Sequence, residues 1–438
     1  MSNRYLEIQM SNQNSNGKTS FKKGQSDLIF QIPAMNSTLI PQSVRLVGKL
    51  NVYKNMVNDA TSLPDDTDQL AINSRLGVYG AFQSLTLRSI KHQQTIESIR
   101  HYPHMLKSYL PLSTKLEDNY THLGESALTI PNWSLNKKSV VNKSTTENSG
   151  DSFAVAIPCG VLNGVDDIPL PDNMLGGLEI KLELAPDSQF LFSLNGDRTG
   201  LEDAFYEFTD LKLICEVKDY PVGQMPSGSG GVFNYQSISS YYDTINSGNA
   251  NIVFNLGLSK VRSAWVSFVP SKFINSLEND AYSTLMPMNK TGNIASVKKI
   301  TWTKAGALYP YHMELNNVIR DSPKTIMNDP VVIKEYVSAV LPWVKNKSNM
   351  LSVINTNRDY SGDSTDANSY MKIPNSGVNY GIGVNYDALG GEGADFSSQL
   401  WGLNMELDLN TDNPNSAFIF VNSEQSVAFN NNGIQVIQ

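Results

Sequence analysis

The run LEIKLEL, from Leu178 to Leu184, alternates apolar and charged residues without a break. A period of two requires an extended strand with one face buried, because a helix would carry the same residues around its whole circumference. The pattern returns as LNMELDL from Leu403 to Leu409, 403 − 178 = 225 residues further on. A second pair, IFQI at Ile29–Ile32 and VFNL at Val253–Leu256, repeats at 253 − 29 = 224. Each member of that pair precedes a Val-Arg step, Val44-Arg45 or Val261-Arg262, that opens another strand. Two echoes at nearly one offset, about half of the 438 residues, point to a duplicated β domain. A chain of this length also exceeds what one hydrophobic core usually supports.

The segments between the echoes read as further strands. In the first half these are SVRLVGKLNVY, the hairpin AFQSLTLRSI with QTIESIR, then SFAVAIP, QFLFSL and FTDLKLICEV. The second half repeats the order with NIVFNLG, VRSAWVSFV, KKITWT, YHMELN and AFIFVNS, and closes on a hairpin signal at Asn432-Gly433. One helix is expected in each half. HYPHMLKSYL (101–110) has helical spacing and stops at Pro111. The other starts at Asp329 as N-cap with Pro330 in the first turn, presents Val332, Ile333, Tyr336, Val337, Val340 and Leu341 as an apolar stripe, and is closed by Pro342. Polar excursions follow at about 112–150 and 344–379.

PVGQMPSGSGG, Pro221 to Gly231, is uncharged and rich in Gly, Ser and Pro, so it divides the chain. The expected organisation is a polar, basic arm over 1–26, a first sandwich over 27–220, the linker 221–231 and a second sandwich over 232–438. The arm carries Arg4, Lys18, Lys22 and Lys23 with few large apolar residues, which predicts a terminus mobile in the isolated chain, or one that orders against a neighbouring subunit or an anionic surface.

Composition excludes several classes. No run approaches the ~18 apolar residues of a membrane span, and MSNRYLEIQMSNQNSNG has no apolar core of signal-peptide type, so export by that route is not expected. A net charge of −8 opposes a protein that coats nucleic acid. Cys159 and Cys215 lie in apolar, strand-like runs and read as small core residues.

Catalytic chemistry finds no starting point, since GxSxG, HExxH and CxxC are all missing. His101 and His104, with His92 upstream, have a spacing that two metal ligands on a helix could use, but no Cys or Glu at ligand spacing completes a set; His122 and His312 stand alone. Gly17-Lys18-Thr19 imitates the end of a phosphate loop without the earlier glycine or the following helix. The acidic groups Asp65, Asp66 and Asp68, and Asp166 with Asp167, sit among turn residues and read as solvated loops. Asn355, Asn357 and Asp359 alternate like calcium ligands but meet Tyr360 where that loop needs glycine. GIG at 381–383 and LGGEG at 389–393 read as backbone turns. No catalytic, cofactor-binding or metal-binding residue is therefore assigned, and no cofactor is expected. Of the tryptophans, Trp265, Trp302 and Trp401 fall in strands, while Trp133 and Trp343 are candidates for loop exposure.

Many short strands, long connections and one helix per half are what a jelly-roll sandwich requires. The string SVRLVGKLNVY, LGVYGAFQSLTLRS, QQTIESIRHYPHM, AIPCGVLN, LGGLEIKLEL and FTDLKLICEVKDYP resembles the first barrel, from second strand to last, of the double jelly-roll major capsid proteins of tailless icosahedral double-stranded DNA viruses. That lineage includes adenovirus hexon and the algal-virus, iridovirus, virophage and Polinton-like proteins. GALYPYHMELN and FIFVNSEQSVAFNNNGIQVIQ are similar to parts of the second barrel. The resemblance covers about 27–438 and rests on pattern and order. It implies an all-β chain of two tandem eight-stranded jelly rolls, a structural rather than enzymatic role, and homotrimeric, pseudo-hexagonal capsomers. The implied partners are further copies, minor capsid or penton proteins, and an internal membrane or the genome through residues 1–26, without sequence-specific nucleic-acid binding. The implied location is the virion, with synthesis in the host cytoplasm or nucleus. The alternative reading is a β-sandwich carbohydrate-binding protein or glycosidase, which should place Trp and Tyr in exposed loops.

Overall fold

The computed structural model describes residues 3–14, 16–57, 60–62, 70–73, 76–113, 126–128, 150–193, 196–221, 231–246, 249–282, 297–309, 314–316, 330–343, 381–387, 393–407, 414–430 and 433–437. In the first half the principal strands are β1 (Asn3–Gln9), β2 (Asp27–Ile32), β3 (Ser37–Tyr53), β4 (Phe82–Ser89), β5 (Thr95–Arg100), β6 (Asp151–Ala156), β7 (Leu178–Leu184) and β8 (Phe205–Asp219). They form two antiparallel sheets, β1-β8-β3-β6 and β2-β7-β4-β5. The second half has β9 (Gly231–Ile245), β10 (Asn249–Phe254), β11 (Val261–Pro270), β12 (Val297–Lys304), β13 (Glu314–Asn316), β14 (Ile382–Asn385), β15 (Trp401–Leu407) and β16 (Asn415–Asn430). Its sheets run β9-β16-β11-β14 and β10-β15-β12-β13. Each of these eight strands thus sits where the strand numbered eight lower sits in the first half. A further strand, β17 (Gly433–Ile437), pairs with the end of β16 through the expected hairpin and has no counterpart among the described strands of the first half.

The opening echo is a true repeat of position. β7 lies between β2 and β4, and β15 lies between β10 and β12. The register differs: Phe30 pairs with Ile180, whereas its echo Phe254 pairs with Trp401 and not with Met405. The slip, 405 − 401 = 4 residues, is even, so the same face stays inward. On that face Leu178, Ile180, Leu182 and Leu184 are buried, as are Trp401 and Leu403. The alternate residue Glu179 is also buried, at 2% exposure, because Arg88 at 2.5 Å and Gln31 at 2.9 Å satisfy its carboxylate.

Residues 3–14 and 16–26 are built into the first sandwich rather than standing apart from it as an arm. Asn3–Gln9 is the first strand of the first sandwich, antiparallel to β8, and Lys18–Thr19 pairs with β8 further along. Leu6 and Ile8 pack on the core and Met10 is buried in it, which supplies the apolar anchoring that the polar composition hides. The basic residues are engaged within the chain. Arg4 meets Asp219 at 3.2 Å, Lys22 meets Asp203 at 3.2 Å, and Lys18 and Lys23 reach the buried Glu207 at 3.4 and 2.5 Å.

Both helices occupy the same connection. α1 (Tyr102–Ser113) lies between β5 and β6, continuing past Pro111, and α3 (Pro330–Val340) lies between β13 and β14. A short helix, α2 (Gly160–Gly164), follows β6. The GIG run is a strand rather than a turn: β14 passes under α3 so closely that a Cβ on Gly381 would come within 2.3 Å of the Tyr336 ring, and one on Gly383 within 2.6 Å of Ala339. Of the linker 221–231, Pro221 and Gly231 are described, and Gly231 already opens β9.

One apolar cluster runs from the first sandwich into the second, joining Leu28, Ile96, Tyr109 and Cys159 to Tyr235, Trp265, Tyr336 and Phe418. A second cluster, with Phe254, Trp302, Phe396 and Trp401, lies within the second half. No helix among the described residues is long and apolar enough to cross a membrane.

Candidate functional site

The shared cluster places a dense set of buried polar groups, among the described residues, at the seam between the halves. Ile96 and Ile99 in β5 are three apart, so strict alternation cannot bury both; the strand pairs irregularly here and turns Glu97 inward as well. At its end of the seam Glu97 accepts the backbone N–H groups of Gly160 and Val161, each at 2.9 Å, and the Ser237 hydroxyl at 3.3 Å from the other half. The Cys159 thiol also donates to it and in turn accepts the Leu162 N–H at 3.4 Å, capping α2. Burial pushes the Glu97 carboxyl above the ordinary carboxylate range against all these donors, and burial likewise raises the Cys159 thiol well above its usual value. The thiol therefore stays protonated, as its donor role requires.

Beside it, the Tyr235 phenol donates to the Ile96 carbonyl at 2.6 Å, and its oxygen lies 3.1 Å from Gln425 Oε1. The Trp343 indole donates to the Gln236 carbonyl at 3.0 Å and packs edge-on against Tyr109 at 4.6 Å. Gly160 is placed so tightly that a Cβ there would lie 2.0 Å from the same Gln236 oxygen. A groove of about 330 Å³ opens alongside, lined in part by Asn163, Gly164, Asn234, Pro342 and Trp343.

Further along, α1 carries His104 and Lys107 into the seam. His104 stacks on Phe418 of the second half with ring centres 3.7 Å apart and 9° between the planes. Tyr282 donates to the Gly80 carbonyl at 2.7 Å, and Asn73 donates to Asp280 at 2.7 Å, both across the halves. Lys107 Nζ and His104 Nδ1 are buried without a hydrogen-bond partner among the described residues. Burial lowers Lys107 to about 7 although Asp280 opposes the shift, and burial with the neighbouring Lys107 and His101 lowers His104 well below the ordinary imidazole value.

The residues singled out in the sequence are thus distributed differently from a reactive centre. His101 and His104 meet on Phe418 as ring contacts, while His92 lies at the β4–β5 turn against the Met174 carbonyl. Among the described residues no three His, Cys, Asp or Glu side chains cluster to hold a metal ion. Cys159 and Cys215 are buried free thiols. Asp166 and Asp167 are exposed. His122, His312, Trp133, Asp65, Asp66, Asp68, Asn355, Asn357, Asp359 and all but Gly393 of LGGEG lie outside the described residues. Trp343, expected in an exposed loop, is 5% exposed because the second helix delivers it into the seam. What this arrangement does is hold two sandwiches as one body.

No family model matches the chain, and no curated protein matches it by sequence. Comparison of structures does find likeness. PBCV-1 VP54, fitted into a reconstruction of the virophage Sputnik, superposes with a TM-score of 0.55 at 9% identity, over 99% of this chain and 96% of its own. A chain from the structure of the Sputnik virophage gives 0.54 at 9% identity, over 99% and 88%. The mavirus major capsid protein gives 0.50 at 10% identity, over 99% and 89%. The fold is the double jelly roll. Each half of this double jelly roll is an eight-stranded sandwich with its helix in the connection between the fifth and sixth strands, and the seam described above is where the two rolls meet.

Proposed function

We propose that the chain is the major capsid subunit of an icosahedral double-stranded DNA virus or virus-like element, with the virion as its location. The observation that carries this reading is likeness to capsid proteins over the whole double jelly roll, 99% of this chain and 96% of PBCV-1 VP54, rather than over one sandwich alone. The work is done by shape and contact, and no catalytic step is invoked. The division at 221–231 into two rolls and the assembly of three chains into a block of pseudo-hexagonal outline belong to the same reading. Two similar rolls repeated three times about an axis present six similar walls, and closed cyclic symmetry is the usual way for identical chains to satisfy such surfaces. Minor capsid or penton proteins would then adjoin these blocks. A genome or membrane partner through residues 1–26 has less support, since the cations of that segment are paired within the chain. The carbohydrate-binding alternative loses one of its candidate exposed aromatics with the burial of Trp343.

Light scattering on the purified chain tests the proposal, together with electron microscopy of concentrated samples. The expected result is three chains per particle and six-lobed outlines. A stable monomer or dimer at micromolar concentration near neutral pH overturns it.

A further inference from the structure

The repeat of topology makes β1 and β9 counterparts, each the edge strand beside the long strand that ends its roll, β8 or β16. Their levels can be matched. Val44 lies in the bulge opposite Cys215, between the Ile40–Glu216 and Arg45–Ile214 pairs, and its echo Val261 pairs with Ser423. Cys215 is then level with Ser423 and Glu216 with Glu424. Tyr5 faces Glu216 and Gln236 faces Glu424, so Tyr5 and Gln236 hold the same place in the two rolls.

Their surroundings are opposite. The outer side of β9 at this level is covered by the first roll: Gly160 touches the Gln236 carbonyl, Tyr235 and Ser237 bond to Ile96 and Glu97, and both of those second-roll side chains are buried. The outer side of β1 has no paired strand among the described residues, and Tyr5 there is 75% exposed, the most exposed of the large apolar side chains described. An unpaired edge bearing an exposed aromatic is a surface that proteins otherwise blunt or cover.

We propose that the outer edge of β1, centred on Tyr5, is covered in the assembled protein by the second roll of another copy of this chain. The seam inside the chain would thereby be repeated between chains. The covering elements would be β13 and the end of β14, which are the counterparts of β5 and of the end of β6 that leads into α2. This inference rests on the trimer reading above and adds to it the strand through which the chains meet.

Two measurements on the full chain test it. Cys159 and Cys215 are buried, so a maleimide reads only the thiol introduced by Tyr5→Cys. That thiol is expected to react in monomer obtained by dilution and to lose its reactivity in the assembled fraction. Tyr5→Asp is expected to shift the particle mass from three chains to one with the far-ultraviolet circular dichroism unchanged. Trimers of Tyr5→Asp at the wild-type concentration, or equal labelling of Tyr5→Cys in trimer and monomer, overturn the assignment of β1 while leaving the trimer intact. A wild-type chain that never associates overturns both readings.

Discussion

The Tyr235 hydroxyl donates to the Ile96 carbonyl at 2.6 Å, and that bond ties an edge strand of the second roll to the last strand of a sheet in the first. The hydroxyl has one proton to give, so its loss would leave the Ile96 carbonyl, in the buried seam, short of its donor. Tyr235→Phe should destabilise the chain by about 1–3 kcal/mol, the usual consequence of an unsatisfied buried polar group. Urea unfolding would show this as a lower midpoint with an unchanged slope. A difference below about 0.5 kcal/mol would mean that the seam does not depend on this bond.

Gly160→Ala should be worse than its single added methyl suggests. The new Cβ would meet the Gln236 oxygen at 2.0 Å, a backbone atom that cannot swing away, so the two rolls must separate. Overpacking of this kind costs about 1–3 kcal/mol. Thermal melting of the variant, with Gly164→Ala as the comparison because its Cβ finds 3.6 Å of room, would separate contact from helix propensity.

Lys107 makes stability depend on pH with a definite sign. Its folded value, about 7, is below the ordinary 10.5, so between these values the unfolded chain binds a proton that the folded chain lacks. Stability should rise as pH increases through that window. Lys107→Met should stabilise most below about pH 7, where the buried charge is present, by a few kcal/mol, and the advantage should shrink toward about pH 10. Unfolding midpoints of both proteins across this range would check it, and a gap independent of pH would refute the burial of the amine.

Glu97 works in the opposite direction. Its carboxyl is raised by burial, so what it contributes to stability is fully present below the ordinary carboxylate range and is lost as pH rises through its folded value. Glu97→Gln cannot ionise. Relative to wild type the variant should therefore gain stability with rising pH, whatever constant penalty it carries from losing one acceptor. Parallel denaturation curves at acidic and neutral pH would reveal a flat difference if the carboxyl were instead ionised throughout.

Limited proteolysis should find residues 3–26 resistant in the isolated chain. Glu207→Ala removes the carboxylate that holds Lys18 and Lys23, and tryptic cleavage at these lysines should then accelerate while the rest of the first roll stays protected. Rapid cleavage of the wild type at the same sites would restore the mobile-arm reading.

The sequence revealed the fold better than the seam because the two depend on different kinds of contact. Alternation in LEIKLEL and its echo is local, and burial of Leu178, Ile180 and Leu182 on one face follows directly from it. The first strand was hidden by composition, although Leu6, Ile8 and Met10 recur at period two and could have disclosed it. Glu97 shares parity with the buried Ile99, which was the available sign that it points inward. Nothing near Trp343 foretells that it packs on Tyr109, and the glycines of GIG show their purpose only when α3 is laid across them. Lys107 falls on a helix whose other residues are nearly all buried, a context that the packing of both rolls creates.

The long strands also have a mechanical meaning. β3 has 17 residues, β16 has 16, and β8 and β9 have 15 each, so at ~3.3 Å per residue each spans about 50 Å without interruption by a loop. Force applied along such strands loads many ladder bonds at once, whereas force across them opens bonds one after another. A wall built from these rolls should therefore be stiff against thrust along its strands and should yield first by peeling at an edge.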